Sequence, residues 1–226
     1  PLVPKDMVFG IGGRVRSDGG EERPVDREEV LEAAREARSR GAEAIVVALI
    51  NSYRNPAQEH AVQAILRAAM PDMHVYCSAD VWPVVREYER TITAVIHGYV
   101  QARVAHYLGS LQDALAREGV PAVAQVTKSN GGVMSAELGK TRCAQMILSG
   151  TASGVIGGSY VARLSGFPDT LSLDIGGTSA DIAIIRGGQP QYGVGEVSGE
   201  FPIFLPTVAV TSIGAGGGSI AGVDEL

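Results

Sequence analysis

Aromatic residues make up only 5% of this 226-residue chain, and it holds just two cysteines and four histidines. The cysteines, Cys77 and Cys143, build neither a disulfide framework nor a zinc-finger spacing, so both read as reduced, buried thiols. Lysine and arginine never gather into a run, and 19 of them against 25 acidic residues leave a net charge of −6. That balance excludes the electrostatic footprint of a nucleic-acid binder or of a protein lying on an anionic membrane. Apolar runs such as Ala44 to Ile50 fall far short of a bilayer span, and no charged-then-apolar leader precedes them. The chain is therefore expected in the cytoplasm. It also lacks an initiator methionine and ends just after a glycine-rich stretch, so it reads as a fragment.

What the chain does have is small and apolar: 45% hydrophobic residues, 19% charged residues and 29 glycines, the balance of an α/β protein with one large or two small domains. Glycines at 12, 13, 19 and 20 divide residues 1–24 into two short strands; Gly10-Ile-Gly12-Gly13 lacks the third glycine of a dinucleotide fingerprint. Asp26 caps a helix that carries Val30, Ala33, Ala34 and Ala37 on one face and stops at Gly41. A strand over Ala44 to Ile50, a helix from Ala57 to Met70 and a strand over Val75 to Ala79 follow. This alternation predicts a mostly parallel sheet.

Residues 78–90 crowd Asp80, Trp82, Arg86, Glu87, Tyr88, Glu89 and Arg90 together and read as a solvated helix start with surface ion pairs. Ile92, Val95, Ile96, Tyr99, Val100, Val104, Tyr107, Leu108, Leu111 and Leu115 then recur at helical spacing up to Gly119. At ~1.5 Å per residue the helix is about 40 Å long. His97 and His106 are not at ligand spacing and read as structural or surface residues. Residues 121–127 read as a strand running into Lys128-Ser129-Asn130-Gly131-Gly132, which is either a ligand loop at a strand's carboxyl end or a plain turn. A short helix capped by Ser135 comes next, then a buried strand over Gln145 to Leu148. Ser149 to Gly154 opens a small-residue helix to about Leu164, its N-terminus either facing a phosphate or simply capped. Gly154, Gly157 and Gly158 cost that helix ~0.8–1 kcal/mol each and point to close packing.

Leu171 to Gly188 organises the rest. Leu171, Leu173 and Ile175 alternate as a strand, Gly176 and Gly177 turn the chain, and Ile182 to Ile185 return as a second strand. Asp174 and Asp181 flank a turn whose glycines admit an anion to the backbone and whose Thr178 and Ser179 add hydroxyls, an arrangement suited to phosphates carried by hydrated Mg²⁺. A tight hairpin closed by its own Asp and Thr is the plain alternative. A strand over Gln189 to Glu200, a proline-broken Phe201 to Thr207, a last strand over Val208 to Ile213 and a glycine loop, Gly214 to Ser219, complete the chain.

Five stretches occur in one order: Arg86-Glu-Tyr-Glu-Arg90-Thr91, Ser129-Asn-Gly-Gly132, Ser149-Gly150 opening the small-residue helix, Leu173-Asp-Ile-Gly-Gly-Thr178-Ser179-Ala-Asp181 and Ile213-Gly-Ala-Gly-Gly-Gly-Ser219. Together they resemble the hydantoinase A, oxoprolinase and acetone carboxylase β-subunit family, over essentially the whole chain. The resemblance implies an α/β fold of ribonuclease-H-like lobes of the actin, Hsp70 and sugar-kinase type, incomplete here, with mixed, mostly parallel sheets. It implies that residues 1–90 end the family's N-terminal domain and that 91–226 begin its hydantoinase A domain, with a connecting helix over 150–165 and a phosphate hairpin over 171–188.

By the same resemblance the cofactors are ATP and Mg²⁺ or another divalent metal, held through water by Asp174. Asp174 and Asp181 become the catalytic candidates, and Gly176, Gly177, Thr178, Ser179, Gly150, Gly216, Gly217 and Gly218 the nucleotide contacts. Ser129, Asn130, Arg86, Glu87 and Arg90 are candidates for the substrate side. The implied activity is ATP-dependent opening of a cyclic amide of the hydantoin or oxoproline type, activated by phosphorylation. A ketone carboxylase β subunit is the alternative, and an inert nucleotide-binding or scaffold lobe the alternative of another class. A hydantoinase B type partner subunit and an oligomer are expected with it. The family writes Ser-Gly-Pro-Ala-Ala-Gly where this chain has Ser149-Gly150-Thr151-Ala152-Ser153-Gly154, which relaxes the helix start. Its first-lobe Asp-x-Gly-Gly-Thr hairpin and the longer second lobe are not among these residues, so the fragment alone is expected to be inactive.

Overall fold

The computed structural model describes residues 2–198 and 201–222, with no side-chain account of 196–198. Strands β1 (Arg14–Val15) and β2 (Glu21–Arg23) form an antiparallel hairpin; of the two short strands expected in this region, the one at Val15 forms, whereas Met7 to Phe9 holds the end of a 3₁₀ turn and no strand. Helix α1 (Arg27–Ser39) starts where Asp26 accepts hydrogen bonds from the Glu28 and Glu29 N–H groups at 2.9 and 3.0 Å, which satisfies two otherwise orphaned donors. Strand β3 (Ala44–Val47), helix α2 (Ala57–Ala69) and strand β4 (His74–Cys77) then make a βαβ unit, with β3 and β4 parallel. Val30, Ala34, Val47, Val62, Leu66, Met70, Met73 and Val75 close its core from both helices and both strands. Every other strand pair among the described residues is antiparallel, so the parallel sheet that alternation predicts stops at two strands.

One turn of helix, α3 (Ser78–Val81), leads to α4 (Glu87–Arg117), which crosses the molecule and packs on β3, on β11 (Phe201–Val208) and on the segment that carries Cys143. Its start at Glu87 corrects the expectation of a solvated charged segment: Glu89 and Arg90 lie in its first turns and are buried. Strands β5 (Gln125–Thr127) and β6 (Val133–Ser135) pair around the Lys128–Gly132 loop, and Ser135 caps α5 (Ala136–Thr141) by accepting from the Leu138 N–H. The buried strand expected at 145–148 is instead a 3₁₀ turn over Cys143–Met146. No strand pairs with it among the described residues, although Ala144 packs on Ile203 and Leu205 of β11; the Gln145 carbonyl is taken by both the N–H and the hydroxyl of Ser129, at 2.7 and 2.8 Å.

Helix α6 (Ser149–Leu164) then packs on a small antiparallel sheet ordered β12–β8–β7, with β9 pairing β8 further along. Its strands are β7 (Thr170–Ile175), β8 (Ala180–Arg186), β9 (Gln189–Pro190) and β12 (Thr211–Ile213). Strand β10 (Tyr192–Ser198) pairs with β11 around a bulge at Gly195. The proline-broken reading of 201–207 is corrected, because β11 runs unbroken through Pro202 and Pro206. Residues 202, 204 and 206 direct their backbone nitrogens to the edge of the ribbon away from β10, where a missing proline N–H costs nothing, and the Phe204 N–H donates to the Thr93 hydroxyl at 3.1 Å. No described helix is long and apolar enough to cross a membrane.

Candidate functional site

Strands β7 and β8 place Asp174 directly opposite Asp181 across the hairpin. Directly opposed residues share a face with Cβ atoms about 4.5–5.5 Å apart, so two carboxylates project side by side, a destabilising pairing that a cation relieves. On the same face, Ser172, Ala183 and Ile185 meet α6 through Gly158, Ala152 and Val155. Asp181 accepts from the Thr151 hydroxyl at 3.1 Å and from the Ser212 hydroxyl, which ties the first turn of α6 and strand β12 to the hairpin. Asp174 is exposed and makes no hydrogen bond or ion pair among the described residues.

The turn between them closes through the Gly176 N–H, which donates to the Ser179 carbonyl at 2.8 Å. That bond removes the Gly176 N–H from the expected phosphate cradle. The N–H groups of Gly177, Thr178 and Ser179 have no acceptor among the described residues. The second glycine loop does not offer a separate cradle either. Its Gly217 and Gly218 N–H groups donate to the Gly176 and Gly177 carbonyls, both at 2.9 Å, and the Gly216 N–H donates to the Ser219 hydroxyl at 2.9 Å. Gly216, Gly217 and Gly218 thus buttress the hairpin turn from behind. At Gly216 a Cβ would stand 2.6 Å from the Gly176 carbonyl oxygen and 2.8 Å from the Ser179 nitrogen, so only glycine allows the two loops to touch.

Helix α6 starts at Leu148, held in the left-handed region at φ 58° with no side-chain cap. Its first internal bond runs from the Ala152 N–H to the Leu148 carbonyl, so the Ser149, Gly150 and Thr151 N–H groups have no acceptor among the described residues. Open space surrounds the Cα of Gly150. The helix N-terminus therefore presents bare donors and the positive end of its dipole beside the Asp181 anchor. Of the three later glycines only Gly158 is in contact with the sheet; Gly154 and Gly157 have nothing within 4 Å of a Cβ, which corrects the close-packing expectation for those two.

The expected substrate-side residues lie elsewhere. Ser129 is buried, and its hydroxyl donates to the Gln145 and Ile147 carbonyls, so it organises its own loop. Asn130 accepts from the Gly132 N–H at 3.0 Å as a local turn. Arg86 caps α4 at φ 82° and pairs with Glu89. The Asn51 N–H donates to Glu87 at 3.2 Å and is the main cause holding that carboxyl below its usual range. Arg90 is fully buried, donating to the Ser78 hydroxyl at 3.0 Å and to the Val84 and Leu49 carbonyls at 2.9 and 2.7 Å. Arg90 is thus a floor beam and not a substrate contact.

Residue-by-residue reading missed the partner of that beam. Glu59 is also fully buried and accepts from the Leu49 and Ala79 N–H groups and the Ser78 hydroxyl, at 2.8, 3.0 and 2.8 Å. The available signal was its position three and seven residues before Val62 and Leu66, a carboxylate on the apolar face of α2. His97 and Cys143 also meet in the interior, Nδ1 to Sγ at 3.3 Å. Burial pushes His97 down to about 4 and Cys143 up to about 11, so the pair is neutral and shut away from solvent. Cys77 is buried too, with its thiol pushed up to about 12.

The family model described as hydantoinase/oxoprolinase matches residues 90–226, and that of the hydantoinase/oxoprolinase N-terminal region matches residues 1–70. Caprolactamase subunit alpha of Pseudomonas jessenii is 35% identical over 226 residues, which is 100% of this chain and 32% of that protein. A solved nucleotide-free acetone carboxylase superposes with a TM-score of 0.87 at 32% identity, covering 96% of this chain and 31% of that one. The solved ATP-dependent caprolactamase from Pseudomonas jessenii gives a TM-score of 0.85 at 32% identity, over 100% of this chain and 33% of that one. The chain spans about a third of the length of these relatives.

Proposed function

The chain belongs to the hydantoinase/oxoprolinase family, and we propose that it carries one phosphate-binding half of an ATP-dependent enzyme that opens cyclic amides. The observation that carries the reading is the convergence of paired carboxylates, bare turn N–H groups and an uncapped helix N-terminus on one face of the β7–β8 hairpin. The donor set fits a nucleotide with its metal: oxygen ligands for Mg²⁺ or another hard divalent ion, and backbone donors for phosphate.

ATP with its divalent ion, when bound, supplies the phosphoryl group that makes an amide oxygen a competent leaving group. Asp174, exposed and unpartnered among the described residues, would hold the divalent ion through its water shell. Thr178 and Ser179 offer hydroxyl and N–H donors to phosphate oxygens, with the Gly177 N–H beside them, and the first turn of α6 adds its dipole. Asp181 keeps that turn and the hairpin in register through Thr151 and Ser212. An actin- and Hsp70-type cleft closed by a facing lobe, and a partner subunit of the hydantoinase B type in a larger oligomer, complete this reading.

Substitution Asp174→Asn in the complete polypeptide with its partner subunits should lower lactam-dependent ADP release by about 10²–10³-fold, the loss typical of a removed electrostatic contact. Unchanged turnover would leave an inert nucleotide-binding or scaffold lobe. A ketone carboxylase is the second reading, favoured by the TM-score of 0.87 to acetone carboxylase. ADP release that requires a ketone and bicarbonate, and ignores hydantoins, oxoproline and larger lactams, selects it.

A further inference from the structure

Away from the hairpin, the βαβ unit brings three unlike donor groups together at one edge. Helix α2 contributes His60, strand β4 ends on Cys77, and α3 adds Asp80 three residues later. One ligand atom from each, ring nitrogen, sulfur and carboxylate oxygen, lies within 4.8 Å of the other two. His60 Nε2 and Asp80 Oδ1 stand 2.8 Å apart. As a surface ion pair these two would contribute only ~0–1 kcal/mol, which does not account for a cysteine placed beneath them.

We propose that His60, Cys77 and Asp80 form a binding site for a zinc-type divalent cation, with a fourth position open to water or an exogenous ligand. Thiolate, imidazole and carboxylate together are a borderline-soft set, suited to Zn²⁺ and Co²⁺ and poor for Mg²⁺ or Ca²⁺, which take oxygen ligands. Burial orders the site: Cys77 forms the floor while His60 and Asp80 are half exposed at the rim, so the fourth position faces solvent. Cys77 Sγ lies 3.4 Å from the Glu59 carbonyl oxygen, to which it donates in the metal-free protein, and binding releases that proton. The cation would clamp α2 to β4 and α3 directly over the Glu59–Ser78–Arg90 network, since Glu59 adjoins His60 and Ser78 adjoins Cys77. This makes the site a brace for the start of α4, separate from the nucleotide hairpin.

Cobalt titration of the complete, metal-free polypeptide tests it. Wild type should develop a near-ultraviolet thiolate-to-cobalt charge-transfer band that zinc then abolishes, and Cys77→Ser should lack the band. His60→Gln and Asp80→Asn, both at exposed positions that tolerate change, should bind more than ~100-fold more weakly, beyond the ~10–100-fold that loss of an outer-sphere partner costs. Zinc should raise the denaturation midpoint of wild type and not of these two variants, which keeps the test open if Cys77→Ser fails to fold. No band in wild type, or the same band and the same zinc-induced shift in all variants, overturns the proposal.

Discussion

Around Arg90 each guanidinium nitrogen donates to a protein oxygen, and Glu59 beside it accepts from two backbone N–H groups and a hydroxyl. Around Asp174 the polar groups face outward: its carboxylate, the N–H groups of Gly177 to Ser179 and those of Ser149 to Thr151 have no protein partner among the described residues. Both regions hold charge next to a helix start, α4 in one and α6 in the other. Buried polar groups must be satisfied from within, whereas groups left bare on a scaffold fixed by other bonds are what a ligand completes. The first region is therefore structure, and the second leaves open the groups that the proposed site needs, although the sequence marks both with charged residues beside helices.

The widest separation between them is expected on Arg90→Ala. Emptying one member of a buried charge network leaves Ser78 and the Leu49 and Val84 carbonyls without their donor, and costs about 3–5 kcal/mol. Asp174→Ala, by contrast, should leave stability within about 0.5 kcal/mol, as for other exposed side chains, while turnover falls. Urea denaturation of both variants checks the pair; equal losses of stability would erase the distinction.

The closed region also sets a pH response. His97, 4% exposed, touches Cys143 Sγ at 3.3 Å and the Tyr76 ring edge-on at 5.3 Å. Its folded pKa of about 4 lies below the free value of 6.5, so as pH falls the unfolded chain takes up the proton first. The stability from a neutral His97 is complete above about 6.5 and is lost between there and about 4, amounting to about 3 kcal/mol in full and about 2 by pH 5. His97→Phe should remove this part of the acid sensitivity. Denaturation midpoints at neutral and mildly acidic pH, compared between the two proteins, measure it.

Much of the fold is legible in the sequence, and the parts that are not have physical causes. The long helix forms where its spacing predicts, but it buries Thr93, Ala94, His97 and Leu108, and Tyr99 of the expected apolar stripe is exposed. The Asp26 cap and the Gly41 stop are local signals, and the structure follows them. Likewise, the strand–turn–strand of Leu171 to Gly188 is written in period-two alternation and a glycine pair. Arg90 was misread because composition shows charge but not the distant carbonyls, Leu49 among them, that satisfy it. The roles of Gly216 to Gly218 were equally hidden: a glycine loop that cradles an anion and one that buttresses another loop have the same letters, and only the 2.6 Å approach at Gly216 separates them. Pro202 and Pro206 argued against a strand because the sequence does not reveal which edge of β11 is unpaired.

Within the open region, Gly216→Ala probes the buttress. The added methyl must move the Gly176 carbonyl or the Ser179 nitrogen, and overpacking of this kind costs about 1–3 kcal/mol. The strain falls on the turn that carries the bare donors, so ADP release should drop more steeply than stability. Faster amide hydrogen exchange at Gly176, Gly217 and Gly218, whose N–H groups are bonded within the two loops, with exchange in α1 and α2 unchanged, locates the damage. Exchange accelerated throughout would mean that the two loops are part of the global core instead.

A smaller effect than at Gly216 is expected at the side-chain hydrogen bond that ties α6 to the hairpin. Thr151→Val keeps the β-branched shape but removes the hydroxyl that donates to Asp181 at 3.1 Å. Asp181 keeps the Ser212 hydroxyl and is only half-buried, so the loss should be close to 1 kcal/mol, the usual net value of one hydrogen bond. Freed of that anchor, the uncapped turn of α6 shifts against the turn of the hairpin, and the apparent affinity for nucleotide should weaken while the thermal midpoint falls by only ~2–4 °C. A loss of several kcal/mol would show that Asp181 is bound into a closed network of the Arg90 kind, and the contrast between the two regions would fail at this residue.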